Sequence, residues 1–294
     1  MSRLSCRLAI LLFAWAAGCA RPASTPLASG ALRIVFLDVG QGDAAIVVSP
    51  EGRRMLVDAG PNPSQVAQYL QANGHDTLDL AIASHAHDDH IGGMEAVLRT
   101  VHVRAYLDNG VPHTTSTYRR TMTAVEQSRT QYLAAEARTI SVGSVQVRIL
   151  PMPPGPGDQN DRSVGALVRF GSFSVLFTGD SERAELAWWL RSGAATRVSL
   201  VKVAHHGADN GTTDNWAGAL RPALAVISVG RSNPYGHPSA AAVASWSRSG
   251  ATVLRTDLEG AITVTADTSG AFTATNSAGT VLFRFNPGRE GQRP

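Results

Sequence analysis

Residues 84–93 read SHAHDDHIGG, which puts three histidines and two aspartates into six consecutive positions. The chain has only nine histidines in its 294 residues, and this segment directly follows the apolar run Leu80–Ala83. Side chains alternate along extended backbone, so His85, His87 and Asp89 share one face. A turn into helix at Asp88 swings Asp89 and His90 toward a second point. Imidazole and carboxylate together form the ligand set of Zn, Mn or Fe. The spacing accommodates two metals, His85 and His87 on one, Asp89 and His90 on the other. Asp89 is counted among the catalytic candidates as well. Gly92 and Gly93 are expected to free the backbone for a tight turn into the next helix. The rival reading is a polar loop whose histidines cluster by accident. Four ligand-type residues at this spacing, right after an apolar strand, weigh against it.

The rest of the chain shows how such a segment is held. Strand patterns are expected at 32–37, 44–49, 53–58, 80–84, 139–142, 145–150, 164–170, 174–178, 199–204 and 224–229, with short strands near Val253, Ile262, Phe272 and Val281. Helices are expected at 63–73, 92–100, 116–127, 182–191, 213–220 and 239–249. Residues 151–161, PMPPGPGDQND, fit neither helix nor central strand and make a surface loop. The pattern is two similar halves, each of strands followed by helices. Two sheets packed face to face with helices on both outer faces satisfy it, an α/β, αββα four-layer sandwich. Polar clusters recur at strand ends: Asp58, 85–90, Asp180 and His205-His206. A site at one edge of the sandwich would gather them on a rigid scaffold.

The amino terminus is read apart from this domain. Arg3 and Arg7 precede the apolar stretch LAILLFAWAA at 8–17, and Gly18-Cys19 follows small residues. Residues 1–18 therefore resemble a lipoprotein-type signal peptide, with Cys19 the lipidated new terminus; a plain signal peptide cut near Ala20 is the alternative. Cys6 and Cys19 are the only cysteines, so the remaining chain is expected to hold neither thiol nor disulfide. The Pro/Ser/Ala-rich residues 19–31 read as a tether, 32–285 as one folded domain and 286–294 as a loose tail. A sequence pI near 9.2 hints at nucleic acid. Removing residues 1–18 takes away two arginines and no acid, leaving 24 basic against 23 acidic residues. Global charge then does not argue for DNA binding.

The motif H-x-H-x-D-H after an apolar strand resembles the metallo-β-lactamase fold hydrolases. Four further stretches are similar to the soluble hydrolase domain of the ComEC family of competence proteins: FLDVGQGDA (36–44), NDRSVGALVRFGSFSVLFTGD (160–180), LVKVAHHG (200–207) and NPYGHPSAAAV (233–243). The resemblance implies a two-metal hydrolytic site with Zn or Mn. Asp180, ending FTGD, would bridge the metals, its alternative role being a helix N-cap. His205 or His206 would complete the second metal's shell, His206 being favoured because glycine follows it. His237 in YGHP would ligate metal or donate a proton to the leaving group, unless it only caps the next helix. Asp58 in LVDAG would orient the histidine loop from behind, with Asp38 and Asp43 of the opening motif in similar supporting roles. The superfamily's middle histidine is absent. Asn160, Asp161 and Ser163 stand there instead, so the first metal site would be open, weaker, or filled by Asp161 or water. Ala208 replaces the usual serine after HHG, which would loosen a contact to substrate.

Ser163, Asn160, His113 and Arg231 are the substrate-binding candidates, and Arg119, Arg120 and Arg162 lie in segments within reach of the site. The implied chemistry is attack by a hydroxide shared between the metals on a phosphodiester, with single-stranded DNA as the substrate the resemblance suggests. Another hydrolase of the same fold is the alternative, a choline-phosphate esterase, lactonase or β-lactamase. A non-catalytic envelope-binding protein is the remote third. Transporting competence proteins carry many membrane spans, and none follows residue 18 here. The expected protein is therefore a free-standing, membrane-anchored periplasmic lipoprotein with no DNA channel, binding nucleic acid or another phosphodiester.

Overall fold

The computed structural model describes residues 30–155 and 157–289. The signal, lipidation and most of the tether expected at 1–31, and residues 290–294 of the expected tail, lie outside the described residues. Two sheets form the centre. The first has nine strands in the order Val281–Phe285, Phe272–Asn276, Ile262–Ala266, Leu32–Phe36, Ala45–Val48, Arg54–Val57, Leu80–Ile82, Ala105–Asp108 and Gln131–Ala134. The second has seven, in the order Thr252–Arg255, Leu224–Ile227, Leu200–Lys202, Phe173–Phe177, Ala166–Phe170, Val145–Ile149 and Arg138–Val142. Each sheet begins its half as antiparallel hairpins and continues as parallel strands. This repeats one half-fold twice, as the alternation of elements in the sequence implies.

Period-two alternation places the core. Leu32, Ile34 and Phe36 face the opposite sheet, as do Val145, Val147 and Ile149 from the other side. The rings of Phe36 and Phe177 meet across this layer at 5.8 Å. Val35 and Leu37 point outward, under Val66 and Leu70 of the helix Gln65–Ala72 and Val97 of Met94–Thr100. On the far face Leu167, Leu176 and Val201 lie beneath Trp189, Trp216 and Trp246 from three helices. All three tryptophans are fully buried, and truncating any one costs about 3–5 kcal/mol. The four layers are thus helix, sheet, sheet, helix. Two of the outer helices start on the hydroxyls their sequence supplies. Thr213 Oγ1 accepts from Trp216 N and Ser239 Oγ from Ala242 N. No helix among the described residues is long and apolar enough to cross a membrane.

Gly92 and Gly93 serve a different purpose from the one expected. Neither has a positive φ; both continue helical backbone at −55° and −89°. A Cβ on Gly92 would lie 2.4 Å from the Pro61 carbonyl oxygen, and one on Gly93 2.4 Å from that of Ala59. The pair lets the histidine segment press against the 59–62 loop, where Ala59 N donates to His90 O at 2.7 Å and Gly93 N to Gly60 O at 3.0 Å. Close approach, not conformational freedom, is what these glycines supply.

Away from that edge, His75 is buried with both ring nitrogens unpaired. Burial, with Arg54 and Arg33 adding repulsion, pushes its pKa from 6.5 down to about 4. The unfolded chain therefore takes up this proton first as pH falls. The contribution of a neutral His75 is complete above pH 6.5 and is lost between 6.5 and 4, to a total of roughly 1–3 kcal/mol. Urea denaturation of wild type and His75→Phe across this window is expected to give a stability difference that grows in favour of the variant as pH drops. Parallel curves would show that His75 does not titrate with folding.

Candidate metal centre

The site forms where strands of both sheets end. Leu80–Ile82 delivers the histidine segment, whose residues Asp88–Ile91 make a single helical turn. Phe173–Phe177 delivers Asp180 through Thr178 and Gly179. Gly179 has a φ of +51°, and a Cβ there would lie 2.7 Å from that of Ser84. Leu200–Lys202 delivers His205 and His206, both with a φ of +50°. Asp58, closing the strand Arg54–Val57, has a φ of +58°. Left-handed backbone at residues other than glycine costs about 1–3 kcal/mol each and gathers at functional sites.

One ligand atom each from Asp89, His90, Asp180 and His206 lies within 4.8 Å of all the others. Asp180 is central. Its Oδ1 is 3.2 Å from His90 Nε2, and its Oδ2 is 3.4 Å from His206 Nε2. Asp89 Oδ2 is 3.2 Å from His206 Nε2. His85 and His87 sit alongside, with Nε2 of the first 3.0 Å from Nδ1 of the second and the rings of His85 and His90 at 4.2 Å. His205 is at the border, Nε2 at 3.8 Å from Asp180 Oδ2 and Nδ1 at 3.5 Å from Glu182 Oε1. His206 is the more deeply buried of the pair. Asp180 does not cap the next helix, which begins at Arg183 behind Glu182 without a side-chain cap.

Supporting contacts aim these rings. Asp58 Oδ2 takes the Nδ1 proton of His90 at 2.9 Å, while its two oxygens also accept from the backbone N–H and hydroxyl of Ser84. The Ser228 carbonyl takes that of His206 at 3.0 Å. Both contacts turn an Nε2 lone pair toward Asp180, the arrangement used by metal-ligating histidines. Asp43 lies 3.4 Å from His206 Nδ1 and is paired with the buried Lys202 ammonium, which also donates to the Gly179 carbonyl at 3.1 Å.

Electrostatics test whether a cation fits. Asp43, Asp58, Asp89 and Asp180 surround His90, while Lys202 pairs with Asp43 and lies 4.0 Å from Asp180. Burial opposes charge on Asp180, but His206 and His90 outweigh it and hold its carboxyl well below the usual range. Burial likewise opposes charge on His90 and His206, and the carboxylates drive both well above the usual imidazole value. Burial keeps His85 and His87 below that value, hence neutral as ligands must be. His90 Nε2 and Asp180 Oδ1 are buried and face each other without a hydrogen bond. Unpaired donor-type and acceptor-type atoms around a surplus of negative charge fit divalent cations.

A cleft of about 370 Å³ opens over this group. Its walls include Gln41, His113, Asn160, His205, Tyr235 and His237. His113 reaches it despite its position in sequence, its ring 5.8 Å from that of His87. His237 lies 5.9 Å from His205, and the following helix is capped by Ser239 instead. Other candidates are placed elsewhere. Ser163 is wholly buried, its hydroxyl accepting from Asp180 N at 3.1 Å, so it props the aspartate and cannot touch substrate. Arg231 donates to the Asp257 carbonyl and is not part of the cleft wall. Asp38 is exposed and accepts from Gly40 N within its own turn. Asp161 borders a separate hollow with Arg162 and Glu185 and is not part of the cleft wall. Ala208 is buried and makes no wall of the cleft.

Sequence reasoning missed Lys202, Gln159 and Tyr235. Gln159 Oε1 accepts from Ala86 N and Asn109 Nδ2, tying the histidine loop to the next strand. A lysine inside the apolar strand LVKVA was the available signal for the first. A polar side chain in a Pro/Gly loop gave none for the second.

Comparisons agree with this geometry. A family model described as the metallo-beta-lactamase superfamily matches residues 37–231. ComE operon protein 3 of Bacillus subtilis is 27% identical over 256 residues, covering 79% of this chain and 33% of its own. Recombination protein 2 of Haemophilus influenzae is 30% identical over 209 residues, covering 69% and 25%. The chain thus spans a third or less of the length of these relatives. Among solved structures, Igni18, described as a metallo hydrolase from Ignicoccus hospitalis, aligns with a TM-score of 0.51 at 17% identity, covering 79% of this chain and 98% of that one. The chain belongs to the metallo-β-lactamase superfamily of metal-dependent hydrolases, and within it resembles the ComEC-family competence proteins.

Proposed function

We propose that the protein is an extracytoplasmic phosphodiesterase acting on DNA, with two divalent ions, zinc or manganese. The observation that carries this is the convergence of His85, His87, Asp89, His90, Asp180 and His206 beneath an open cleft, in a chain similar to proteins named for competence and recombination. His85 and His87 would hold one ion, Asp89, His90 and His206 the other, with Asp180 between them. Bound there, the ions supply acidification of water and neutralisation of phosphate charge. The chain's own groups do the rest. Asp58 and Ser228 fix the tautomers, and Ser163 fixes Asp180. Burial, with His205 and His206 nearby, lowers the pKa of His237. A ring kept neutral near pH 7 is suited to accept a proton from the attacking water, more than to deliver one to the leaving oxygen. The amino-terminal sequence supports export and a lipid anchor on Cys19.

The test is cleavage of labelled single-stranded DNA by purified protein stripped with a chelator and then given Mn or Zn. Cleavage is expected only after metal is restored, with His87→Ala slower by roughly 10²-fold or more. A wild-type protein that binds metal yet leaves DNA and small phosphodiesters intact would sink the proposal and point to an ester or lactam substrate.

A further inference from the structure

Tyr235 is the most exposed large apolar side chain among the described residues, at 67%. It stands on the wall of the cleft, its ring 5.8 Å from that of His237 and only 18° from parallel. The loop beneath is fixed by one side chain. Asn233 donates to the Gly230 and His237 carbonyls at 2.9 and 2.8 Å and accepts from His237 N at 3.0 Å. A large ring is thus held flat, wet on its outer face, above a ring that borders His205 and hence Asp180.

The charges around it are as informative. No lysine or arginine lines the cleft among the described residues. The arginines that sequence placed within reach are engaged elsewhere. Arg119 donates to the Thr114 carbonyl, Arg120 to Glu95, Arg162 to the Gly155 carbonyl and Arg231 to the Asp257 carbonyl. A groove that grips a polyanion by its phosphates needs several free cations along its length. This cleft offers a single reaction centre and one aromatic platform.

We propose that Tyr235, backed by His237, is a nucleobase-stacking subsite that takes the base next to the phosphate at the Asp180 cluster, and that stacking here, rather than a basic groove, holds the strand. The inference rests on the phosphodiesterase reading. Two expectations follow from it: affinity depends on a base at one position, and it depends only weakly on salt, with a log–log slope of about −1 or shallower.

The experiment measures binding and turnover separately. Fluorescence anisotropy with metal-loaded protein compares hexathymidylate with the same strand carrying abasic residues, both with phosphorothioate linkages to slow hydrolysis. Wild type is expected to prefer the intact strand by about 5- to 150-fold, the range for one stacked base. Tyr235→Ala is expected to bring that ratio toward one, and Tyr235→Phe to retain it. A ratio unchanged in Tyr235→Ala, no preference in wild type, or a salt slope steeper than about −3 would overturn the subsite. Turnover of ordinary phosphodiester strands is scored alongside. Base-dependent binding without cleavage would leave the subsite standing and defeat the phosphodiesterase reading alone. Cleavage without base-dependent binding would do the reverse.

Discussion

Asp180→Ala is expected to lower phosphodiester turnover by roughly 10³-fold or more, since several kcal/mol of charge stabilisation are lost at 1.36 kcal/mol per tenfold. Among the described residues no other carboxylate can take its place. Of these, it alone faces His90 at 3.2 Å, His206 at 3.4 Å and His205 at 3.8 Å. Asp89 reaches His206 at 3.2 Å but is 3.9 Å from His90, and Asp43 and Asp58 are engaged on the Nδ1 side of the rings. Metal content after dialysis is therefore expected to fall together with activity. The fold is expected to survive, because the core tryptophans and the inter-sheet layer lie away from this edge. The discriminating measurement pairs metal analysis with single-turnover kinetics, and tryptophan fluorescence monitors folding. Full metal occupancy with turnover within tenfold of wild type would remove Asp180 from the centre of the site.

Local pattern carried much of this in the sequence. The helix Ser116–Gln127 has the bounds its sequence implies, and the hairpins around 50–52 and 171–172 form as expected. Alternating apolar residues with clear turn signals determine such elements nearly alone. The strands Ala105–Asp108 and Gln131–Ala134 were not anticipated. Both are four residues long and pair in parallel with neighbours remote in sequence, so tertiary contact and not periodicity creates them. The site divides along the same line. Ligand-type residues crowded at one spacing marked His85, His87, Asp89 and His90 directly. His113 and Asn160, named as substrate-binding candidates, do line the cleft, His113 beside His87. Arg231 and Ser163 illustrate the converse, since nearness to a motif or membership of one does not say whether a side chain faces the cleft, the core or its own loop. Gly92 and Gly93 show the same limit, because a sequence shows a missing side chain but not the carbonyl that needs the space.

The second large effect concerns stability. Lys202→Met is expected to destabilise the metal-free protein by about 3–5 kcal/mol, a fall in Tm of the order of 10 °C. Lys202 is 3% exposed and Asp43 5%, and the ammonium is paired directly with the carboxylate. Burial raises the pKa of Asp43, and Lys202 is the largest of the opposing influences that bring it below the usual value. Taking away the lysine strands that carboxylate, with Asp180 only 4.0 Å from the vacated charge. Breaking one partner of such a pair costs far more than losing both. Lys202→Met combined with Asp43→Asn is therefore expected to recover most of the loss, a coupling that a double-mutant cycle reads directly. Arg248→Met is the control, since its pair with Asp214 is exposed and screened by solvent, and little change is expected. Metal adds a further signature. A divalent cation at Asp180 and His206 offers the uncovered carboxylates a new counter-charge, so the loss is expected to be smaller in the loaded protein than in the stripped one. Equal losses in both forms, or no recovery in the double variant, would show that Lys202 acts through packing and not through the charge it places under the site.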